Sequence, residues 1–139
     1  MVVVDTSVAY KWFSKENEDL LSQAIKLLSN HLKKSEELIA PDIIIYELAN
    51  AWATKTKLTN DQIKVFMKDF SSTRIKIETI TFDLINSAIA FSKKYHVSVY
   101  DASYAVLAQY KRCDYYTVDT KFIERVNLPF IKHLKDYIN

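Results

Sequence analysis

The sequence predicts an α/β fold in which a mostly parallel sheet is covered by helices on both faces. Short apolar segments that suit buried strands alternate with longer segments in which apolar residues recur at helical spacing. The connections are short, and no internal repeat, low-complexity segment or linker interrupts the pattern. Because 139 residues is the size of one ordinary domain, we expect residues 1–139 to form a single domain.

Composition excludes several classes of protein. Nineteen basic and seventeen acidic residues leave a net charge of +2, so any nucleic-acid-binding surface has to be local. The chain contains no glycine, which argues against the glycine-rich phosphate loops of P-loop hydrolases and of dinucleotide-binding enzymes. Cys113 is the single cysteine and cannot form an internal disulfide, and no apolar run approaches the ~18 residues of a membrane span. We expect a cytoplasmic protein with no membrane association.

The first strand is expected at residues 2–4, where three valines are followed directly by Asp5. Thr6 and Ser7 can then open a short helix, which we place at residues 8–13. A longer helix is expected over residues 15–34. Its apolar residues at helical spacing are Leu21, Ala24, Ile25, Leu28 and Leu32.

The second strand is expected at residues 38–40, where it is ended by Pro41, and Asp42 is placed to cap a helix over residues 43–56. The predicted buried stripe of that helix consists of Ile45, Leu48, Ala49 and Trp52. A separate polar face carries Glu47, Asn50 and Thr54.

The remaining elements continue the alternation. Thr59 and Gln62 predict a capping box for a helix whose core face is Ile63, Phe66, Met67 and Phe70. A strand at residues 75–80 precedes a helix at 82–95 with Ile85, Ala88, Ile89 and Ser92 along one side. The last expected elements are a helix at 100–112, a strand at 115–118, a short helix to about residue 125 and a strand at 130–131.

Four acidic residues from distant segments are expected to meet at one edge of the sheet. Asp5 and Asp119 each follow a strand, at the edge where open α/β sheets bind ligands. Asp101 opens a helix, and Glu47 lies about one turn inside another. Each also has a purely structural interpretation: an N-cap for the aspartates, or an exposed helical glutamate.

Convergence of these acids would need compensation, because two unit charges about 4 Å apart repel by about 4 kcal/mol at an effective dielectric constant near 20. Either some of the acids hold protons or a divalent cation lies among them. Since no cysteine or histidine is expected nearby, an oxygen-only set of ligands favours Mg²⁺ or Mn²⁺ over zinc.

Four short motifs follow one another along the chain, and each contains one of these acids. They are VDTS at residues 4–7, YELAN at 46–50, VYDASYA at 99–105 and TVD at 117–119. In order and approximate spacing they resemble the motifs of PIN-domain proteins, particularly the VapC-type toxins of type II toxin–antitoxin pairs. The resemblance covers nearly the whole chain and lacks none of the motif acids.

The resemblance implies a divalent-metal-dependent ribonuclease built as a three-layer α/β/α sandwich with parallel strand order 3-2-1-4-5. It implies that the acidic metal and catalytic site consists of Asp5, Glu47, Asp101 and Asp119, with Asp5 and Asp101 as the first candidates for direct ligands. Thr6 and Thr117 would support the site through hydrogen bonds, and Asn50 would orient Glu47. With one metal ion, Asp119 or Glu47 is a candidate base; a second ion would stabilise the leaving group.

The implied partners are an RNA substrate, single-stranded or structured like tRNA, a cognate antitoxin protein and a second copy of the chain in a homodimer. Basic residues near the motifs could rim a groove for phosphates, and aromatic residues could stack on bases. The alternative is that these side chains are solvated lysines and core aromatics. The two sets are Lys11, Lys15, Lys55, Lys57, Lys121 and Arg125, and Tyr10, Trp12, Tyr100 and Tyr104.

Two other kinds of phosphate chemistry fit the sequence poorly. A receiver domain needs an aspartate at the end of its third strand, where this chain has Glu78-Thr79-Ile80-Thr81. A D-x-D phosphatase needs an acid at the position of Ser7. The remaining alternative is a catalytically silent RNA-binding or scaffold protein with the same fold, and the sequence identifies neither the RNA target nor the number of metal ions.

Overall fold

The computed structural model describes residues 1–14 and 19–138. Its strands form one five-stranded sheet in which every neighbouring pair is parallel. The order is β3-β2-β1-β4-β5, which confirms both the α/β sandwich and the order 3-2-1-4-5. The strands are β1 Val2–Val4, β2 Leu38–Pro41, β3 Lys76–Glu78, β4 Asp114–Thr117 and β5 Ile131–His133.

Seven α-helices lie in the part of the chain that the structure describes. They are α1 Thr6–Ala9, α2 Leu21–Leu32, α3 Ile43–Lys55, α4 Asn60–Ser72, α5 Phe82–Tyr95, α6 Val99–Lys111 and α7 Thr120–Val126. Two 3₁₀ turns, Tyr10–Phe13 and Leu134–Asp136, complete the elements. None of the helices described combines the length and the apolar character needed to cross a membrane.

The central strand β1 pairs on both sides, with Val2 opposite Leu38 of β2 and opposite Asp114 of β4. All three of its valines are buried, as the short apolar run predicts. Helix α6 packs against β1, β2 and β4, and its residues 102–108 are buried. The carboxyl end of β1 therefore lies between the ends of β2 and β4, and an acidic residue follows soon after each of these two strands.

Several predicted helix boundaries are wrong. The short helix expected at residues 8–13 begins at Thr6 and continues as a 3₁₀ turn to Phe13, because Asp5 caps it. The helix expected over residues 15–34 is observed only as Leu21–Leu32, and residues 15–18 of that prediction lie outside the described residues. The helix expected at residues 100–112 starts one residue earlier, with Ser98 as its N-cap, so Asp101 is its third residue rather than its second.

The buried faces of three helices differ from the predicted ones. In α2, Leu27 is fully buried whereas Ile25 and Leu32 are exposed. In α3 and α5, Ile44 and Phe91 are buried in place of the exposed residues Ile45 and Ile89. Each helix carries apolar residues on more than one face, so spacing alone does not identify the face that packs on the sheet.

Caps at helix N-termini were predicted with mixed success. The capping box of Thr59 and Gln62 is confirmed by both of its hydrogen bonds. Asp42 makes no cap hydrogen bond with its side chain; its carboxylate accepts a long one, 3.4 Å, from the backbone of Ile80. Asp42 therefore ties the start of α3 to the segment after β3.

Candidate active site

A cleft of about 490 Å³ opens at the carboxyl ends of β1 and β4. All four predicted acids line it, although they come from four separate segments of the chain. The other residues that line it include Thr6, Ser7, Tyr10, Lys11, Lys55 and Tyr104. We call Asp5 and Glu47 the inner acids and Asp101 and Asp119 the outer acids.

Asp5 is the most enclosed of the four, with 8% of its surface exposed. It is the N-cap of α1, and its Oδ1 accepts hydrogen bonds from Val8 N at 3.1 Å and Ser7 Oγ at 2.5 Å. Its other oxygen, Oδ2, accepts from the Tyr115 hydroxyl at 2.9 Å. Burial raises the pKa of Asp5 above its ordinary value, and these hydrogen bonds oppose the shift without cancelling it.

Glu47 points into the cleft from α3. Its Oε1 accepts a hydrogen bond of 2.5 Å from the Tyr104 hydroxyl, which also lies 3.1 Å from Thr6 Oγ1. Partial burial is the main cause that raises the pKa of Glu47, and the charges of Asp5 and Asp101 raise it further. The last effect shows that the acids influence one another electrostatically.

Two stacked tyrosines support the inner acids from behind. The rings of Tyr104 in α6 and Tyr115 in β4 lie 6.0 Å apart at an angle of 17°. Burial raises the pKa of both phenols, and the neighbouring carboxylates raise it further. Both hydroxyls therefore remain protonated and can donate to Glu47 and Asp5.

The outer acids are held by contacts at the N-termini of α6 and α7. The backbone N–H of Asp101 donates to Ser98 Oγ at 3.0 Å, and Ser98 Oγ donates back to Asp101 Oδ2 at 2.8 Å. Asp119 is the N-cap of α7, and its Oδ1 accepts from Phe122 N at 2.9 Å. These contacts are local in sequence, as a helix N-terminus requires.

Thr117 lies behind the cleft rather than in it. It is fully buried, and its Oγ1 accepts from Asp119 N at 3.1 Å. The same oxygen lies 3.4 Å from Ser7 Oγ, which accepts from Val118 N at 3.2 Å. Thr117 and Ser7 thus join the segment after β4 to the segment after β1.

Asn50 is not brought into the cleft. Among the described residues, those that line the cleft include Glu47 and Ala51 of the same helix but not Asn50, whose surface is exposed. Its backbone carbonyl accepts a hydrogen bond from Thr54. Asn50 therefore does not belong to the described residues that line the cleft with Glu47, and its role in orienting Glu47 stays a prediction.

The predicted basic and aromatic residues are distributed over different surfaces. Lys11 and Lys55 line the cleft, and the Lys11 ammonium donates to the Asp19 carbonyl at 2.8 Å. Tyr10 lines the cleft, whereas Trp12 is buried and its indole N–H donates to Ala24 O. Tyr100 is exposed, Lys57 lines another cavity, Lys121 and Arg125 line a neighbouring one, and Lys15 lies outside the described residues.

Sequence reasoning missed Ser7 and Tyr115 as contacts of Asp5. Ser7 carried a signal, because a hydroxyl two residues after an N-cap aspartate can fold back onto it. Tyr115 carried none, since it lies 110 residues from Asp5 in the sequence and meets it only through the pairing of β1 with β4.

The chemistry of the acids fits a hard divalent cation, because all four donors are carboxylates and the inner ones are partly or fully buried. Within residues 1–14 and 19–138, no three acidic, histidine or cysteine side chains converge tightly enough, as they stand, to hold one ion. The outer acids each direct an oxygen to their own helix N-terminus. The donor set therefore suits a hard divalent cation, although in the described part of the chain the acids are not gathered around one point.

Comparisons with known proteins agree with this geometry. The PIN domain family model matches residues 2–127, whereas no curated protein matches the sequence significantly. The fold is similar to a toxin–antitoxin complex from Klebsiella pneumoniae, at 17% identity and a TM-score of 0.70, with 96% of this chain and 98% of that chain covered.

Two further solved structures have the same fold. One is VapC20 of Mycobacterium tuberculosis, described as a toxin that cleaves the sarcin–ricin loop, at 18% identity and a TM-score of 0.67, with coverage of 89% and 94%. The other is VapBC2 of Rickettsia felis bound to a DNA fragment from its promoter, at 16% identity and a TM-score of 0.67, with coverage of 96% and 97%.

Proposed function

The chain belongs to the PIN-domain family, and from this premise we propose that it is a divalent-metal-dependent endoribonuclease, the toxin of a toxin–antitoxin pair. One observation carries the proposal: four carboxylates from four separate segments line a single cleft at the carboxyl edge of the sheet. A core does not need such a concentration of acids, and each one adds repulsion that the fold has to offset. The arrangement is therefore better explained by a bound cation and an anionic substrate.

In this proposal Asp5 and Asp101 hold a Mg²⁺ or Mn²⁺ ion, and Glu47 and Asp119 complete the acidic site. When bound, the ion would neutralise part of the acidic charge and stabilise negative charge that develops at the scissile phosphodiester. Tyr115, Ser7 and the Val8 amide fix the carboxylate of Asp5 through hydrogen bonds.

Proton transfer falls to a carboxylate that is not fully enclosed. Glu47 and Asp119 both line the cleft, and burial raises the pKa of Glu47 above its ordinary value, which makes its carboxylate a stronger base. Tyr104 donates to one oxygen of Glu47, and Thr6 also makes a side-chain hydrogen bond to this carboxylate. The attacking water would be activated from this side.

The proposal also covers the localisation, oligomeric state and protein partner of the chain. We propose that residues 1–139 act as one cytoplasmic domain that pairs with a second copy and is neutralised by a cognate antitoxin. Exposed apolar side chains on α3, α5 and α6 support a protein–protein contact, since large apolar groups in water are unfavourable. The most exposed are Phe82 at 87%, Tyr46 at 77%, Tyr110 at 70% and Tyr100 at 63%.

The proposal is tested by incubating the purified full chain with labelled single-stranded RNA and with tRNA, in Mn²⁺, Mg²⁺ or EDTA. Asp5→Asn and Asp101→Asn serve as inactive variants, each checked for folding by circular dichroism. We expect cleavage that requires the metal and is lost in both variants.

Two other outcomes would count against the proposal. Cleavage that survives in both variants would come from a contaminant and would leave the acids without a role in catalysis. RNA binding without cleavage in any metal would favour the alternative of a catalytically silent RNA-binding protein with this fold.

A further inference from the structure

A second cavity, of about 240 Å³, adjoins the acids on the side of α7. The outer acids Asp101 and Asp119 line both this cavity and the main cleft, so the two spaces are neighbours along one surface. The basic side chains that line the second cavity are His96, Lys121 and Arg125. Acidic and basic groups thus share one small space.

The two permanent cations have fixed positions relative to the acids. Lys121 and Arg125 are four residues apart in α7 and therefore lie on the same face of that helix. Helix α7 begins directly after Asp119, whose side chain caps it. The backbone positions of the two cations relative to Asp119 are therefore set by one short helix.

The guanidinium of Arg125 is also oriented from the other side of the cavity. Its Nη1 donates a hydrogen bond of 2.9 Å to the carbonyl of His96, the residue that ends α5 in a left-handed conformation with φ of 56°. A guanidinium has five N–H donors, so this bond fixes the group and leaves others for an oxyanion. Orientation before binding reduces the entropy lost when a ligand arrives.

The opposite charges in this cavity do not form ion pairs. Within residues 1–14 and 19–138, no salt bridge joins Lys121 or Arg125 to Asp101 or Asp119. The Asp101 carboxylate accepts from Ser98, the Asp119 carboxylate accepts from Phe122 N, and in this described part of the chain the cations line the same cavity without contacting either acid in a salt bridge. Such an arrangement leaves the basic groups available for an anion that lies between them and the solvent.

We propose that Lys121 and Arg125, together with His96, form a subsite for a backbone phosphate of RNA next to the phosphodiester that is cleaved. The inference rests on the proposed ribonuclease function and adds the path of the substrate: the strand enters or leaves the acidic cleft over α7. Physically, the acids repel every flanking phosphate, and the α7 cations offset this repulsion where the strand passes.

The experiment measures binding of a short, fluorescein-labelled single-stranded oligouridine to the full chain by anisotropy, in EDTA and over a series of salt concentrations. The variants are Lys121→Gln and Arg125→Gln, with Arg125→Lys as the conservative change. Lys33→Gln is the matched control, because it removes the same charge at a distance from the cleft. Lys33 is the C-cap of α2 and precedes β2, so it lies towards the amino ends of the strands, whereas the cleft lies at their carboxyl ends.

We expect each glutamine variant to bind the oligouridine severalfold more weakly. The plot of log K against log salt has a negative slope, and its magnitude should decrease by about 0.7, the value for one phosphate contact with a single strand. Lys33→Gln should leave the slope unchanged, and Arg125→Lys should retain it. In the cleavage assay with Mn²⁺, the same two glutamine variants should raise KM more than they lower kcat.

The failure of this inference is distinguishable from the failure of the proposed function. If the wild type binds and cleaves RNA while Lys121→Gln and Arg125→Gln keep its salt slope, the subsite is overturned and the nuclease stands. If Lys33→Gln lost as much RNA affinity and salt dependence as the α7 variants, the effect would come from the net charge of the protein alone, and the subsite would also be overturned. A wild-type chain that neither binds nor cleaves RNA overturns both.

Discussion

The inner and outer acids line the same cleft, yet the fold holds them in different ways. Asp5 and Glu47 receive hydrogen bonds from buried tyrosines that are distant in sequence, and burial raises the pKa of both carboxyls. Asp101 and Asp119 are held by contacts within their own helix N-termini. The inner half of the site is thus fixed by tertiary packing, and the outer half by local backbone structure.

This difference has a consequence for function. A side chain that a packed core already orients loses little conformational entropy when a cation binds. A side chain at an exposed helix terminus can instead reorient when the cation arrives. We therefore expect changes in the inner half to have larger effects than changes in the caps of the outer half.

The largest effect is expected from Asp5→Asn, which removes the most enclosed carboxylate. Cleavage should fall by more than about 100-fold, and the rise in melting temperature that Mn²⁺ produces in the wild type should be lost. The measurements are RNA cleavage and thermal unfolding with and without Mn²⁺. Asp61→Asn, at an aspartate whose side chain is 94% exposed on α4, is the control and should behave as wild type.

A Mn²⁺-induced stabilisation that persists in Asp5→Asn would show that the inner half does not bind the ion. The comparison of the two halves would then have to be reversed, with Asp101 and Asp119 as the dominant ligands.

The next largest effect is expected from Tyr115→Phe, which removes only the hydroxyl that donates to Asp5. Loss of one orienting partner of a metal ligand should weaken Mn²⁺ binding and activity by about 10- to 100-fold. Titration calorimetry with Mn²⁺ and the cleavage assay would measure it. The neighbouring Tyr116 packs its ring against Tyr137 instead, so Tyr116→Phe is a matched control.

Equal effects of Tyr115→Phe and Tyr116→Phe would mean that the loss comes from altered packing in β4. Orientation of Asp5 by the Tyr115 hydroxyl would then have no separate role.

The raised pKa of the inner acid Asp5 should also be visible in how the stability of the protein depends on pH. Because burial raises the pKa of Asp5 above the ordinary value of 3.8, the folded protein binds this proton more tightly than the unfolded chain. The metal-free protein therefore loses stability as the pH rises from 3.8 through the raised pKa. Asp5→Asn lacks this titration, so the free energy of unfolding of the wild type relative to the variant should fall over the same interval.

Urea unfolding in EDTA at a series of pH values measures this difference. If the free energies of unfolding of the two proteins change in parallel with pH, Asp5 does not have a raised pKa in the folded state.

The smallest effect is expected in the outer half. Ser98→Ala removes the cap of α6 and the hydrogen bond to the Asp101 carboxylate, which should lower the free energy of unfolding by about 1 kcal/mol. Thr59→Ala removes a comparable cap from α4. Urea unfolding should show similar losses for both, while RNA cleavage should decrease severalfold only in Ser98→Ala.

A loss of activity in Ser98→Ala as large as in Tyr115→Phe would break the comparison. It would show that the local caps orient the site as strictly as the tertiary hydrogen bonds do.

Much of the fold could be predicted because its signals are local. The run of valines before Asp5, the capping box at Thr59 and Gln62, and the apolar face of α4 all depend on residues within about one helical turn of one another. The same local reasoning expected four acids at one edge of the sheet, since strands and helices alternate and each acid lies just after a strand or within the first two turns of a helix.

The faces of α2, α3 and α5 could not be predicted in the same way. Ile25 and Leu27 are both apolar and lie in the same helix, but only Leu27 is buried against the core. A helix with apolar residues on two adjacent faces has two plausible orientations, and the strand register and neighbouring helices decide between them.

By itself, then, the sequence determined the order of the elements and the acids that lie near their ends, because these depend on neighbours along the chain. Only the tertiary structure decided that Tyr115 donates to Asp5 across 110 residues and that Tyr104 donates to Glu47 across 57. It also left Asn50 outside the group of residues that line the cleft and brought Lys121 and Arg125 into one cavity with the outer acids. The physical reason is that hydrogen bonds and burial depend on distance in space, and only the packing of the sheet and its helices sets that distance.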